Sequence, residues 1–268
     1  MQTVLFHDTI FGPIHSRRLG TSLGVNLTPN DGKVCTFDCL YCEAGFNAQG
    51  TGTTGLAPRE VVSERLRAKL RDMHDKGENL DVITFSGNGE PTIHPDFAGI
   101  IDDTIKARDE FFPKVKISVL TNSTQLHRPD VVKALMKVDN NILKLDSAIE
   151  STMRALDRPT SRAFTVAKVV PQLAAFADEF EKEGRKSNVI IQTMFTRGSH
   201  DGKPLDNTVP GEVDALIEAY KRIRPESIMV YSIDRQTPEH SLQKVPREEL
   251  EAIAARITAE TGIPVSVA

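Results

Sequence analysis

Val82-Ile83-Thr84-Phe85-Ser86-Gly87-Asn88-Gly89-Glu90-Pro91-Thr92 is the stretch that decides how this chain folds. Val82 to Phe85 form a short apolar run, a glycine-rich polar turn ends it, and Phe97, Ile101 and Ile105 then fall in helical register after Pro95. An apolar run bounded by turn residues and followed by an amphipathic helix reads as a βα unit. The same alternation extends in both directions. Upstream, Gly24-Val25-Asn26-Leu27 is expected as a first strand. A helix then runs from near Pro58 to about Lys76, with Val62, Leu66, Leu70 and Met73 on one face and Gly77 closing it. Downstream, strands are expected at Val115 to Leu120, Ile142 to Leu145, Val189 to Phe195, Ile228 to Tyr231 and Ile263 to Val267. Between them lie helices marked by Val131, Leu135 and Val138, by Val166 to Phe180, by Val213 to Tyr220, and by Leu250, Ile253 and Ile257.

Strands separated by helices imply parallel pairing with right-handed crossovers. The expectation is an α/β fold, a partial or full (β/α) TIM-like barrel. A doubly wound open sheet is the alternative, because periodicity does not decide closure. One domain is expected over residues 1–268, with a barrel core at about 20–235, an N-terminal extension at 1–19 and a C-terminal helix and strand at about 246–267. The strands turn polar at their carboxyl ends: Ser86, Thr121-Asn122, Asp146-Ser147, Gln192-Thr193 and Tyr231-Ser232, with Asp234-Arg235 beyond. Such folds bind ligands at that end, so five polar strand ends point to one shared site.

Composition narrows the function. The chain has 268 residues, 33 basic against 37 acidic, and a formal net charge of -4. It therefore lacks the broad basic footprint of a nucleic-acid binder. No apolar run approaches the ~20 residues that span a bilayer, and Met1 to Asp8 lack the basic stretch and apolar core of a secretory signal. The expectation is a cytoplasmic protein with no membrane partner.

All three cysteines lie in Cys35-Thr36-Phe37-Asp38-Cys39-Leu40-Tyr41-Cys42. An odd count in so short a window argues against disulfides and for thiolate ligation of a soft or borderline metal. Three cysteines on one loop can hold three corners of a 4Fe–4S cube and leave the fourth iron open to another ligand. Structural zinc takes four protein ligands, so the competing reading, a non-catalytic zinc-binding regulatory or nucleic-acid-binding protein, needs a distant histidine such as His7, His15 or His94.

These spacings, with an aromatic residue before the last cysteine, resemble the signature of the radical S-adenosylmethionine (SAM) superfamily. The resemblance implies an enzyme in which Cys35, Cys39 and Cys42 bind a 4Fe–4S cluster. SAM's amino and carboxylate groups would chelate the open iron, and reductive cleavage would give a 5′-deoxyadenosyl radical. It places Tyr41 near the adenine, although ordinary loop packing explains Tyr41 equally well. Ser86 to Thr92 resembles the family's Gly-Gly-Glu segment, which contacts the SAM amino group through Gly89 and Glu90; Asn88 stands where the first glycine is usual. Asn122, Asp146 and Ser147 end strands that in relatives contribute to the ribose and carboxylate sites. The family's later adenine motif is not recognisable around Gln192 to Gly198.

Gly12 to Gly24, together with Ser232 to Pro238, resembles small proteins grouped with wyosine-base tRNA synthases. That likeness makes tRNA a conceivable substrate, which the charge balance disfavours relative to a small molecule or a protein side chain. Arg17, Arg18 and Arg235 are the candidate substrate contacts. Reductive chemistry of this type implies an electron donor such as flavodoxin or ferredoxin. The absence of further cysteines argues against auxiliary clusters and against methyl transfer through a methylated cysteine.

Overall fold

The computed structural model describes residues 4–16 and 19–268. The elements follow in the order β1 (Ile10–Ser16), β2 (Gly20–Val25), α1 (Arg59–Asp75), β3 (Val82–Phe85), α2 (Phe97–Phe111), β4 (Lys116–Thr121), α3 (Pro129–Leu135), β5 (Asn140–Lys144) and α4 (Glu150–Leu156). They continue with α5 (Val166–Lys182), β6 (Val189–His200), β7 (Lys203–Asp206), α6 (Pro210–Ile223), β8 (Ser227–Ser232), β9 (Gln243–Lys244), α7 (Arg247–Thr261) and β10 (Val265–Val267).

The sheet runs β1-β2-β3-β4-β5-β6-β8-β10. From β2 to β10 every pairing on this path is parallel, whereas β1 lies antiparallel to β2. Among the described residues β1 and β10 form the two ends of this path and do not pair with each other, so the barrel is partial, an open arc. The expected alternation holds, with small changes at the ends. The first strand starts at Gly20 instead of Gly24 and is preceded by β1, so residues expected as an extension add a strand to the arc. Beyond residue 235, α7 leads to β10, which pairs with β8 and continues the same sheet.

Helix periodicity explains how the layers meet. Val62, Leu66, Leu70 and Met73 of α1 are buried, as are Leu173, Phe176 and Phe180 of α5. In α2 the buried stripe is Phe97, Ile100, Ile101, Thr104 and Ala107, leaving Ile105 only partly covered. Phe85 at the end of β3 and Phe97 at the start of α2 meet edge to face at 6.2 Å, fixing the helix against the strand across the polar turn. Aromatic pairs of this kind add roughly 0.5–1.5 kcal/mol beyond their area. β6 extends past the expected Phe195 to His200, where β7 and β9 pair with it antiparallel.

No helix among the described residues is long and apolar enough to cross a membrane.

Candidate functional site

The three cysteines lie on the loop that leaves β2 at the carboxyl end of the arc, and the strand tips hold this loop from beneath. Val34 pairs in parallel with Gly89: its N–H donates to Asn88 O at 3.2 Å, and its carbonyl accepts the Glu90 N–H at 3.1 Å. A Cβ on Gly89 would stand 1.8 Å from Val34 O. Glycine is therefore required there for the close approach of two backbones. Further along, the Asp38 N–H donates to Asp157 O and Arg158 O, and the Leu40 N–H to Leu156 O at 2.9 Å. Cys35 and Cys39 each sit next to one of these anchors, and the Cys42 N–H donates to Cys39 O.

Side chains complete the support. The Cys35 sulfur accepts the Phe37 N–H at 3.4 Å and faces the Asn122 amide at 3.6 Å. Asn122 also donates to Thr36 Oγ1 at 2.8 Å and accepts the Thr124 N–H. Asn122 is held in turn by Glu90, which is 2% exposed. Oε2 of Glu90 accepts the Asn122 N–H at 2.7 Å, while Oε1 accepts the Thr92 and Thr121 hydroxyls, each at 2.6 Å, and the Thr92 N–H. Burial raises the Glu90 carboxyl above its ordinary value despite these donors.

A second network supports Tyr41. Its hydroxyl donates to the buried Asp146, which also pairs with Lys144 and accepts the Met194 N–H at 2.9 Å. Lys144 Nζ lies 3.0 Å from Asp157 and 4.4 Å from the centre of the Tyr41 ring. Burial alone would lower the Lys144 ammonium, but Asp146 and Asp157 outweigh it and hold it well above the usual range. Burial likewise pushes the Asp157 carboxyl up.

Burial, with the nearby Glu90 carboxylate adding to it, pushes the Cys35 thiol up to about 12, and burial raises Cys39 well above its usual value. Thiols in this environment give up their protons to a compensating cation, as metal ligands do. His94, one of the histidines a zinc site would draw on, is engaged elsewhere. His94 is buried, with Nε2 bonded to Ala57 O at 2.9 Å and Nδ1 accepting the Asp96 N–H. Among the described residues no group of three or more His, Cys, Asp or Glu side chains is arranged to hold a single metal ion.

Two adjoining cavities of about 280 and 300 Å³ open beside the loop and share Gln192, Glu43 and Arg235 in their walls. One includes Tyr41 and Cys42. The other reaches into the arc past Ser22, Thr84 and Ser86, and Phe6 and Phe11 of the N-terminal segment, stacked at 3.8 Å, help to line it. Gly24 leaves room on β2 for the Phe11 ring, which a Cβ would meet at 2.1 Å. Asn88 clips the N-terminal segment in place: its side-chain oxygen accepts the Phe6 N–H at 2.8 Å, and its amide donates to Phe6 O at 2.9 Å. Asn88, standing where the resemblance leads one to expect glycine, thus holds the N-terminal segment in place.

The expected site residues fall into four groups. The cysteines, Tyr41, Gly89, Glu90, Asn122 and Asp146 come together. Asn122 and Asp146 are buried, however, and their side chains are engaged within the protein, so they brace the loop instead of offering free groups to a ribose. Ser147 is engaged elsewhere: it is fully buried, donates to Glu212 Oε2 at 2.6 Å and accepts the Ile149 N–H, and so it ties β5 to α4 and α6. Arg235 reaches the cavities, paired with Glu43 at 2.6 Å. Arg17 and Arg18 lie outside the described residues. Lys33, Asp38, Lys144 and Asp157 escaped the sequence reading, because a lone Lys or Asp in a loop, at a strand end or at a helix end carries no signal of burial.

A family model described as the Radical SAM superfamily matches residues 30–191, from the cysteine loop into β6. A UPF0026 protein of Methanocaldococcus jannaschii is 32% identical over 190 residues, covering 69% of this chain and 53% of that protein. A protein named GTPase Obg from Brachyspira hyodysenteriae is 26% identical over 258 residues, 96% of this chain but 35% of that protein. The chain thus spans about half or less of the length of these two curated relatives. The crystal structure of a radical SAM methyltransferase from Sphaerobacter thermophilus shares the fold, with a TM-score of 0.67 at 15% identity over 92% of this chain and 65% of that one.

Proposed function

Because the chain belongs to the radical SAM superfamily, we propose that Cys35, Cys39 and Cys42 each bind one iron of a 4Fe–4S cluster and leave the fourth iron to the amino and carboxylate groups of SAM. When bound, cluster and SAM supply reductive cleavage to a 5′-deoxyadenosyl radical; the protein supplies position and exclusion of side reactions. One observation carries the reading. Three cysteines share one loop that is bonded to the turns after β3, β4 and β5 and to the end of α4, and that opens beside a cavity lined by Cys42.

The remaining residues take roles that follow from their places. Tyr41, in the cavity wall, packs beside the adenine. Gly89 permits the close approach of loop and turn. Glu90 orders Thr92, Thr121 and Asn122, and an incoming ammonium would share its Oε2 with the Asn122 N–H. Asn122 and Asp146 hold Cys35 and Tyr41. Arg235, freed from Glu43, receives a polar or anionic group of the substrate.

Cavities of about 300 Å³ suit a small molecule or a single protein side chain. The electron comes from a carrier such as flavodoxin or ferredoxin. Anaerobic reconstitution tests the reading. The chain should take up about four irons, with broad absorbance near the visible–ultraviolet boundary, and should release 5′-deoxyadenosine from SAM with dithionite. Cys35→Ala, Cys39→Ala and Cys42→Ala should each abolish the cluster. Retention of a full cluster in any one of them would refute the assignment.

A further inference from the structure

We propose that Lys33 is the buried counter-ion of the cysteine loop, a positioning residue whose charge raises the electron affinity of the iron–sulfur centre the loop holds. The inference rests on the assignment of Cys35, Cys39 and Cys42 as cluster ligands.

Lys33 lies two residues before Cys35, yet its side chain is only 2% exposed. Lysine is almost never buried so completely unless it is paired, because desolvating an ammonium is costly. Its Nζ donates to Gly45 O at 2.7 Å and lies 3.5 Å from Asp38 Oδ1. It therefore bridges the loop from a position ahead of the first cysteine to one beyond the last.

Other cations near the loop are already matched. Arg158 pairs with Asp38 at 3.1 Å, and Lys144 is shared between Asp146 and Asp157. Asp38 is thus shared by two cations, Lys33 and Arg158, so this group on the cysteine loop carries one positive charge in excess. A buried cation beside a group that gains an electron stabilises the reduced form more than the oxidised one, because the interaction grows with the added negative charge. A methionine or glutamine would fill the same space and reach the same loop at a lower desolvation cost. The presence of a charge is the feature that packing does not explain.

The test uses the full chain reconstituted anaerobically, with iron content measured beside the cluster's midpoint potential in an EPR-monitored titration. Lys33→Met and Lys33→Gln should keep iron but lose at least tenfold in electron affinity, which is 59 mV more negative for a one-electron couple. Lys33→Arg should stay near the wild type. Asp38→Asn, which removes an anion from the same cluster of charges, should shift the potential the other way. Opposite signs are an outcome that mere loosening of the loop does not produce. Unchanged potentials, or shifts of the same sign in Lys33→Met and Asp38→Asn, would overturn the proposal. So would loss of iron in every Lys33 variant, Lys33→Arg included, while the wild type stays loaded, because that pattern assigns Lys33 to folding alone. A wild type that takes up no cluster would instead bring down the cysteine assignment.

Discussion

Glu90 and Asn122 meet across the tips of β3 and β4, with the Asn122 N–H donating to Glu90 Oε2 at 2.7 Å, and the Asn122 amide in turn faces the Cys35 sulfur. A carboxylate buried after one strand thereby sets the position of a cysteine on another segment. Glu90→Ala leaves two backbone N–H groups and two hydroxyls without their acceptor. An unsatisfied buried donor costs about 1–3 kcal/mol, although the hydroxyls can turn to other partners. Thermal melts should show a clearly lower Tm, and reconstituted protein should hold less iron and bind SAM more weakly. Wild-type values in all three measurements would show that the network does not support the loop.

Gly89→Ala tests the seam between loop and turn. The new Cβ meets Val34 O at 1.8 Å, a contact that only backbone movement relieves. The hydrophobic core lies elsewhere, so the variant should fold, with far-ultraviolet circular dichroism close to wild type. Iron uptake should fall severalfold, because the anchor just ahead of Cys35 is displaced. Full iron uptake would mean that the Val34–Gly89 pairing is dispensable.

Asn88→Ala tests the clip on the N-terminal segment. Two hydrogen bonds to the Phe6 backbone disappear, each worth roughly 0.5–1.5 kcal/mol net. Amide hydrogen exchange around Phe6 should accelerate by about tenfold or more, while β4 and β5 keep their protection. The third Asn88 contact, to Pro29 O, predicts a smaller acceleration near that residue. Uniform acceleration across the sheet would instead indicate global destabilisation.

Bulk tRNA should bind weakly at physiological salt. Non-specific nucleic-acid affinity comes mainly from neutralising phosphates with Lys and Arg, and acidic residues outnumber basic ones here, 37 to 33. Arg158 and Arg235 are each paired with a carboxylate, Asp38 and Glu43. Titration of labelled tRNA at several salt concentrations, with the Arg17→Ala/Arg18→Ala variant alongside, checks this. Sub-micromolar binding with a steep salt slope, lost in the double variant, would make tRNA the leading substrate.

Much of the arc was legible because its helices carry continuous apolar stripes and its strands are short apolar runs. The stripe of α1, Val62, Leu66, Leu70 and Met73, is buried as its spacing requires. β1 was not legible: Gly12-Pro13 interrupts it, and its pairing with β2 shifts register between Phe11 and Ile14, so only the partner strand defines it. α4 spans seven residues and buries only Met153 and Leu156, too little for a periodic signal. The cysteine spacing marked the loop that the strand tips hold, but the polar strand ends were read less fully. Thr121, Asn122, Asp146 and Ser147 look alike in sequence as groups facing a ligand, yet all four are buried and spend hydrogen bonds on neighbouring turns and carboxylates. Polar atoms at buried strand tips must be satisfied whether or not a ligand is near, and sequence alone does not separate the two duties.

The open arc also bears on how copies of the chain behave in concentrated solution. An unpaired strand at a sheet margin is a template for adding a strand from another molecule, a route to aggregation. At one margin β1 carries Pro13, which has no N–H to offer, and bends where its register shifts. At the other, β10 is three residues long. Among the described residues both margins are thus poor templates for strand exchange between molecules.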